Sequence, residues 1–348
     1  MRTLGWAVAV AWVVGVVFAP AAWALQAGAA SPDGKVFVAG GEGRVLYVLD
    51  TDKWEVTKRI WLGARVEALA FSPDGAQCIV GMDDGLTWVF NAATWEKAKD
   101  LGNRPLLAVA RKAPVAVSAE QSWVAGKAQG RLKVWSLADW KVTKEITLGP
   151  GQAAAGTAIA ADGKTAYVRL SRMESPEEKK ADPGPEPKDW TEKGFWRERN
   201  DGAIAGLLAI DLDQGTVGKK ITCFDTPGNF RLYLVPGGVM TVAYGQYHAL
   251  WDIETGKYEP KANREFAYGS GQSAAGDLYV GSLRTYLVLS PEGKEAARKE
   301  ASRLPGWPEY FRGFVPLGEA LVVGVTDANR LIVIDAKTHA IVKEVNCY

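Results

Sequence analysis

The chain has 348 residues, with 41 Lys and Arg against 40 Asp and Glu and only 2 His. That balance gives no electrostatic reason to expect nucleic acid, and the two histidines, His248 and His339, fall by register on opposite faces, which excludes a multi-histidine metal centre. Three cysteines are an odd number for disulfide pairing, and fourteen tryptophans are many for this length.

The chain opens as an export signal. Arg2 is a short positive start, residues 4–19 are continuously apolar, and Pro20 ends the run. Ala22-Trp23-Ala24 has the small-x-small form of a cleavage site, so residues 1–24 read as a signal peptide and Leu25 as the first mature residue. No cysteine lies near the cleavage point, against a lipoprotein, and there is no twin arginine. The alternative is a retained anchor, because residues 4–25 are about long enough to span a bilayer; only in that case is the protein tied to a membrane. Either way the destination is the periplasm or the cell exterior, most simply of a bacterium.

From residue 26 onward one pattern returns seven times: a turn, a strand ending in a Gly hairpin, a strand ending in Asp, and a tight turn into another strand. The first copy runs from Ser31-Pro32-Asp33-Gly34 through Gly43-Arg44 to Tyr47-Val48-Leu49-Asp50, the second from Ser72-Pro73-Asp74-Gly75 through Asp84-Gly85 to Trp88-Val89-Phe90-Asn91. The third is read from Ser118-Ala119-Glu120 through Gly130-Arg131 to Val134-Trp135-Ser136, the fourth from Ala161-Asp162-Gly163 to Leu208-Ala209-Ile210-Asp211. Fainter copies start at Pro236, Ala274 and Leu317 and close at Asp252, Ser290 and Asp335. Spacings of roughly 40–45 residues, with one gap between the fourth and fifth copies about 30 residues longer, are those of four-stranded propeller blades. Apolar–polar alternation bounded by Gly, Pro and Asp turns is the chemistry of half-buried antiparallel strands. In the second copy, 66–71 is an inner strand, 77–81 and 86–90 the middle pair, and 96–101 the outer strand. Residues 295–303 are either the sixth outer strand or a short helix replacing it. The expected fold is all-β, a seven-bladed β-propeller of four-stranded antiparallel blades in a single domain over residues 25–348, with a loop at 171–200 inserted into blade four.

The repeated Ser-Pro-Asp-Gly turn and the ending Leu250-Trp251-Asp252-Ile253-Glu254-Thr255-Gly256-Lys257 resemble WD-repeat proteins and, equally, the bacterial propellers with a Tyr-Val-Thr-Asn repeat. The resemblance spans about residues 26–348. Only blade five carries the Trp-Asp pair, and the usual Gly-His pair is missing. The resemblance implies a scaffold or binding platform; a minority of such propellers are enzymes, lactonases and amine dehydrogenase large subunits among them. Fold alone does not choose between these.

Loops from each outer strand to the next blade share a face with the hairpins between second and third strands, and the long excursions are expected there. The blade-four insertion begins charged and Pro-rich and ends aromatic and basic, with Trp190, Phe195, Trp196, Arg197 and Arg199. A second excursion, between blades six and seven, carries Trp307, Tyr310, Phe311 and Arg312. A third, at 103–113, adds Arg104, Arg111 and Lys112. Trp, Tyr and Arg dominate interface energetics. Two readings stay open: these residues form a docking surface for a protein partner over the channel mouth, or they fold back on their own loops. Trp54, Trp95 and Trp140 share one repeat position, in the turn before the outer strand, where later blades have Gly215, Gly256 and His339. Each covers the edge of its own outer strand, or together they form an aromatic arc usable by a partner.

Signs of catalysis are sparse. There is no haem-attachment motif and no Gly-x-Ser-x-Gly elbow. Gly-x-Gly-x-x-Ala strings at 149–154 and 269–274 read as loop glycines and not as dinucleotide sites. No cofactor, metal or catalytic residue is assigned. Tyr244, Tyr247, His248 and Arg284 fall in neighbouring hairpins, where they are a candidate anion or acid–base site at the channel mouth or a polar rim of a solvated channel. Cys78, Cys223 and Cys347 are read as small buried hydrophobes, with a disulfide-linked dimer through Cys347 as the alternative. The function expected is an exported, non-catalytic, protein-binding scaffold or structural subunit. A small-ligand-binding or lactonase-like propeller is the alternative.

Overall fold

The Ser-Pro-Asp-Gly turns set the first blades. Ser31 Oγ donates to Asp33 Oδ1 at 2.6 Å and accepts from Val36 N at 3.0 Å, while Gly34 takes φ 72°. Ser72, Asp74, Gln77 and Gly75 repeat the arrangement, with Ser72 Oγ to Asp74 Oδ1 at 2.5 Å and φ 72° at Gly75. A left-handed residue is required at the fourth position, and Gly supplies it without steric cost. Each turn reverses an inner strand into the next and so starts a meander.

The computed structural model describes residues 24–103, 107–124, 127–150, 152, 154–170, 185, 188, 204–224, 230–236, 238–243, 245–255, 258–283, 285–300 and 309–347. The expected export segment up to residue 23 lies outside them. Blade one is β1 (Leu25–Ala30), β2 (Val36–Gly41), β3 (Val45–Asp50) and β4 (Glu55–Trp61). Blade two is β5 (Val66–Phe71), β6 (Gln77–Met82), β7 (Leu86–Asn91) and β8 (Lys97–Asn103). Blade three is β9 (Leu107–Val109), β10 (Val115–Val124), β11 (Lys127–Ser136) and β12 (Lys141–Pro150). Blade four is β13 (Ala154–Ile159), β14 (Thr165–Leu170), β15 (Ile204–Asp211) and β16 (Thr216–Phe224). Blade five is β17 (Phe230–Val235), β18 (Gly238–Ala243), β19 (Gly245–Asp252) and β20 (Tyr258–Ala267). Blade six is β21 (Gly269–Gln272), β22 (Leu278–Gly281), β23 (Thr285–Leu289) and β24 (Glu295–Glu300). Blade seven is β25 (Phe311–Leu317), β26 (Leu321–Thr326), β27 (Arg330–Asp335) and β28 (Ile341–Asn346). Each blade is a four-stranded antiparallel sheet whose strands lie in chain order. The protein is a seven-bladed β-propeller, and residues 295–300 are the strand and not the helix.

The first strand of each blade lines the centre, where β1 meets β5 and β25, β13 meets β17, and β21 meets β25. The core is a ring of seams. Seven buried clusters join each blade to the next, from Val38 and Leu46 against Val66 and Val80 round to Val323 and Val345 against Phe37 and Leu49. Because β1 belongs to blade one and blade seven is contiguous, no exchanged strand closes the ring. Closure rests on the packing of β1 against β25 and β26 around Leu25, Leu317 and Val325. A second device works at the periphery. Lys58 Nζ donates to Thr94 O at 2.9 Å, Lys99 Nζ to Asp139 O at 2.9 Å, and Lys144 Nζ to Leu212 O at 3.1 Å and also to Asp213 O. Three successive outer strands thus each hold the next blade's outer turn.

Three expectations change. The third inner strand is β9, so the turn into β10 falls at 110–114, where Ala110 N donates to Val115 O at 2.9 Å. Ser118 is therefore mid-strand, where its buried Oγ accepts from Trp135 Nε1 at 2.9 Å, and Gly130-Arg131 lies within β11 and not in a hairpin. Gly269 and Gly271 form β21 and are not loop glycines. A Cβ at Gly271 would land on the Phe314 carbonyl of β25, so glycine is needed where two inner backbones touch. The tryptophans Trp54, Trp95 and Trp140 take φ 59°, 62° and 59°, as Gly215 and His339 do at 70° and 57°. They turn toward the seam with the preceding blade: Trp140 Nε1 donates to Gln77 Oε1 of β6 at 2.9 Å, Trp54 packs on the cluster between blades seven and one, and Trp95, edge-on to Phe71 of its own blade, packs on the cluster between blades one and two. They seal seams and do not merely cover their own outer strands.

Cys78 and Cys347 are buried free thiols, and burial pushes the Cys347 thiol up to about 12. With Cys347 fully buried, a dimer bridged through it would require the last blade to open. The Cys223 side chain lies outside the described residues.

Candidate functional site

The alternation of strand directions gives the ring two unlike faces. The loop face carries the connections from outer strands to the next blade and the hairpins between second and third strands. The turn face carries the remaining turns. The connections 171–203 and 301–310 both open on the loop face. Trp190, Phe195, Trp196, Arg197, Arg199 and Trp307 lie outside the described residues, as does Arg104.

Tyr310, Phe311 and Arg312 are placed at the root of the second excursion, and their roles divide. Tyr310 packs against Tyr268 with ring centroids 4.4 Å apart and the rings tilted by 56°, and its N–H donates to Asp327 Oδ1 at 2.8 Å. Arg312 Nη2 meets Asp327 Oδ2 at 3.0 Å and its carbonyl accepts from Arg231 Nη2 at 3.0 Å. Phe311 points the other way. It is 2% exposed, stacked on Phe314, and occupies space that side chains at Gly281 and Gly324 would fill. Its place is the core, so the docking role expected for it does not fit its burial. Just before it, Glu309 and Arg330 form a buried two-pronged ion pair at 2.9 and 2.7 Å, and Arg330 also reaches Glu344 at 2.7 Å. Burial raises the Asp327 carboxyl above its usual range, against the pull of the Tyr310 N–H and the Arg312 charge. The excursion therefore leaves from a locked root.

On blades one and two the same face presents Arg65, bonded to Glu42 at 2.9 Å and Glu67 at 2.9 Å, with Asp83 at 3.6 Å. The bonds to Glu42 and Glu67 hold its pKa above the usual arginine value. Beside this network, at the end of β4, stands Trp61, 67% exposed. It was not singled out from the sequence. Its signal is weak: Arg59-Ile60-Trp61 in an outer strand reads like any strand whose solvent side is tolerant; Trp61 forms the last ladder pair of β4, opposite Val45, and only its exposure shows it free of the seam.

Of the candidate channel-mouth group, only the His248 side chain is described. Tyr244 and Arg284 lie outside the described residues, as does the Tyr247 side chain. His248 is 5% exposed and sits in β19, paired with Val242 and Lys261, third from the channel in its blade. It is embedded in the blade and is not on an open rim. His339 is on the turn face, its Nδ1 2.9 Å from the Tyr279 hydroxyl and its carbonyl accepting from Tyr286 at 2.7 Å. Among the described residues no three of His, Cys, Asp and Glu gather as a metal site. Arg111 and Lys112, expected on the loop face, fall in the turn after β9 and so belong to the turn face.

No protein-family model matches this chain, and no curated protein matches it. The propeller architecture therefore stands on the strands themselves.

Proposed function

We propose that this propeller is a non-catalytic protein-binding scaffold, or a structural subunit of an assembly outside the cytoplasm, and that its partner docks on the loop face. The observation that carries the reading is Trp61: a large apolar side chain 67% exposed on the face where both long connections open. Trp is the residue type most enriched at energetic hot spots, and a charged network beside it supplies the polar rim such anchors need. The locked root at Glu309, Arg330 and Asp327 supports the same reading, since a pre-ordered platform lowers the entropy lost on docking. Export by residues 1–24 belongs to this proposal. The kinship in kind with WD-repeat or Tyr-Val-Thr-Asn propellers belongs to this proposal too. The lactonase-like alternative loses its candidate base, because His248 is buried within blade five.

The test compares the intact chain, a Trp61→Lys variant and a deletion of 174–199, each expressed in the native cell and sized under native conditions. The intact protein is expected in a complex larger than itself, and each variant, with an unchanged melting temperature, is expected alone. An intact protein that runs as a free monomer in fresh extract, or variants that stay in the complex, would refute the proposal.

A further inference from the structure

The turn face holds a feature independent of that docking surface. The channel opens there into a cavity of about 410 Å³, bounded by the inner strands of blades three to six and the turns that follow them. Its described walls combine alanines and the aliphatic side chains of Ile159, Leu232 and Leu234 with the polar side chains of Thr157, Tyr233, Gln272 and Ser273. Among the described residues a single charged side chain lines it, that of Arg111. Arg111 keeps solvent access, yet the protein crowds it: desolvation pulls its pKa below the usual arginine value, and no neighbouring charge acts on it. Among the described residues no carboxylate is paired with Arg111.

The polar groups around it have capacity left. Gln272 spends both amide hydrogens, on Leu234 O at 2.7 Å and Gly276 O at 3.1 Å, which leaves its carbonyl oxygen as an acceptor. Ser273 Oγ, in a residue 1% exposed, accepts from Asp277 N at 3.0 Å and retains its own proton to donate.

We propose that this cavity binds a small organic monocarboxylate, with the carboxylate on the Arg111 guanidinium and the apolar body against Ile159, Leu232 and Leu234. The planar fork of arginine matches a carboxylate with two parallel hydrogen bonds. One cation balances one negative charge; a dianion would enter with half its charge uncompensated. A purely inorganic anion would leave the aliphatic walls without use, and a neutral apolar ligand would leave the guanidinium unpaired. The volume lies within the usual range of small-molecule sites.

Octanoate is the probe. Titration calorimetry of the purified full-length ring at neutral pH is expected to show saturable binding at one site, and none for octylammonium or inorganic phosphate. Arg111→Gln should weaken octanoate at least about tenfold, the loss of one charged hydrogen-bonded pair, with Arg111→Lys in between. Ala275→Trp, a change at an exposed turn residue on the rim, should weaken it by obstruction. That variant decides the matter if Arg111→Gln fails to fold. Amide shifts of Gln272 and Ser273 on adding octanoate locate the site. Absence of saturable octanoate binding, equal affinity in Arg111→Gln, or phosphate binding as tightly as octanoate would each overturn the proposal. Because none of these measurements touches Trp61 or the long connections, they succeed or fail independently of the docking surface.

Discussion

At Trp140 two opposing forces meet in one residue. A φ of 59° puts a bulky side chain in the left-handed region, a conformation that costs about 1–2 kcal/mol for a residue with a Cβ. Burial offsets that cost: Trp140 is 7% exposed, and its indole N–H is bonded to Gln77 in the blade before it. Blade four shows the other solution, Gly215 at the same position with φ 70°. The balance gives an ordering. Trp140→Ala loses the packing, about 3–5 kcal/mol for a large aromatic, and keeps the strain. Trp140→Gly loses the same packing and releases the strain. In urea unfolding Trp140 is therefore expected to be most stable, Gly next and Ala last, the last two separated by about 1 kcal/mol. Ala above Gly would mean that the left-handed backbone costs nothing here. The left-handed requirement could be suspected from the sequence, since Trp54, Trp95, Trp140, Gly215 and His339 share a repeat position. The direction of the side chain could not, because the acceptor on Gln77 is far away in the chain.

Among the elements, the turns that begin the first two blades carry a pH signature. The bond from the Ser31 hydroxyl, and then the Lys35 N–H, hold Asp33 below its ordinary 3.8; Ser72 and Ala76 do the same for Asp74. A depressed carboxylate stabilises the fold fully above its unfolded pKa, and the contribution is lost as pH falls through the lower folded value. Both turns are largely exposed, so the effect is modest. The expected result is a urea midpoint that drops between pH 5 and pH 2.5 in the natural protein and drops less in the Asp33→Asn, Asp74→Asn double variant, which is the weaker of the two at pH 7. Parallel slopes would remove these turns from acid unfolding. The same turns explain what was legible. Blades one and two announce themselves because Ser, Asp and Gly each do local work. Blade three has no such turn. Its strands β10, β11 and β12 run long, a glycine sits inside β11, and a buried serine partners Trp135, so local chemistry points to the wrong place by several residues. That slip put Arg111 on the wrong face. The cavity it lines draws on four blades and has no local signature, and Trp61 differs from other outer-strand residues only in what it fails to touch.

At the scale of the whole molecule, every blade is made from one continuous stretch, and the seam between blades seven and one resembles the other six. Many propellers hook the ring shut by letting the two ends of the chain share a blade. Here Leu25 enters β1 and Cys347 leaves β28 on the same loop face, with Leu25 and Cys347 buried in one cluster with Phe37, Leu331 and Val345. Elsewhere on that face an outer strand passes to the next blade through a connection as short as 62–65, in which Gly63 has φ 85° and open space around its Cβ position. If side-chain packing alone closes the ring, the covalent gap can be moved to another seam at little cost, since joining nearby ends changes loop entropy only slightly. A circular permutant that joins residue 347 to residue 25 through a short Gly-Ser linker and opens at Gly63 is expected to fold, with a melting temperature within about 5 °C of the parent's. The permutant would place its ends between blades one and two, where Val66 and Phe71 pack on Val38 and Leu46. Failure to fold, with a soluble parent, would show that the first and last blades are not an ordinary seam and that the order in which the chain is joined is itself part of what holds the ring.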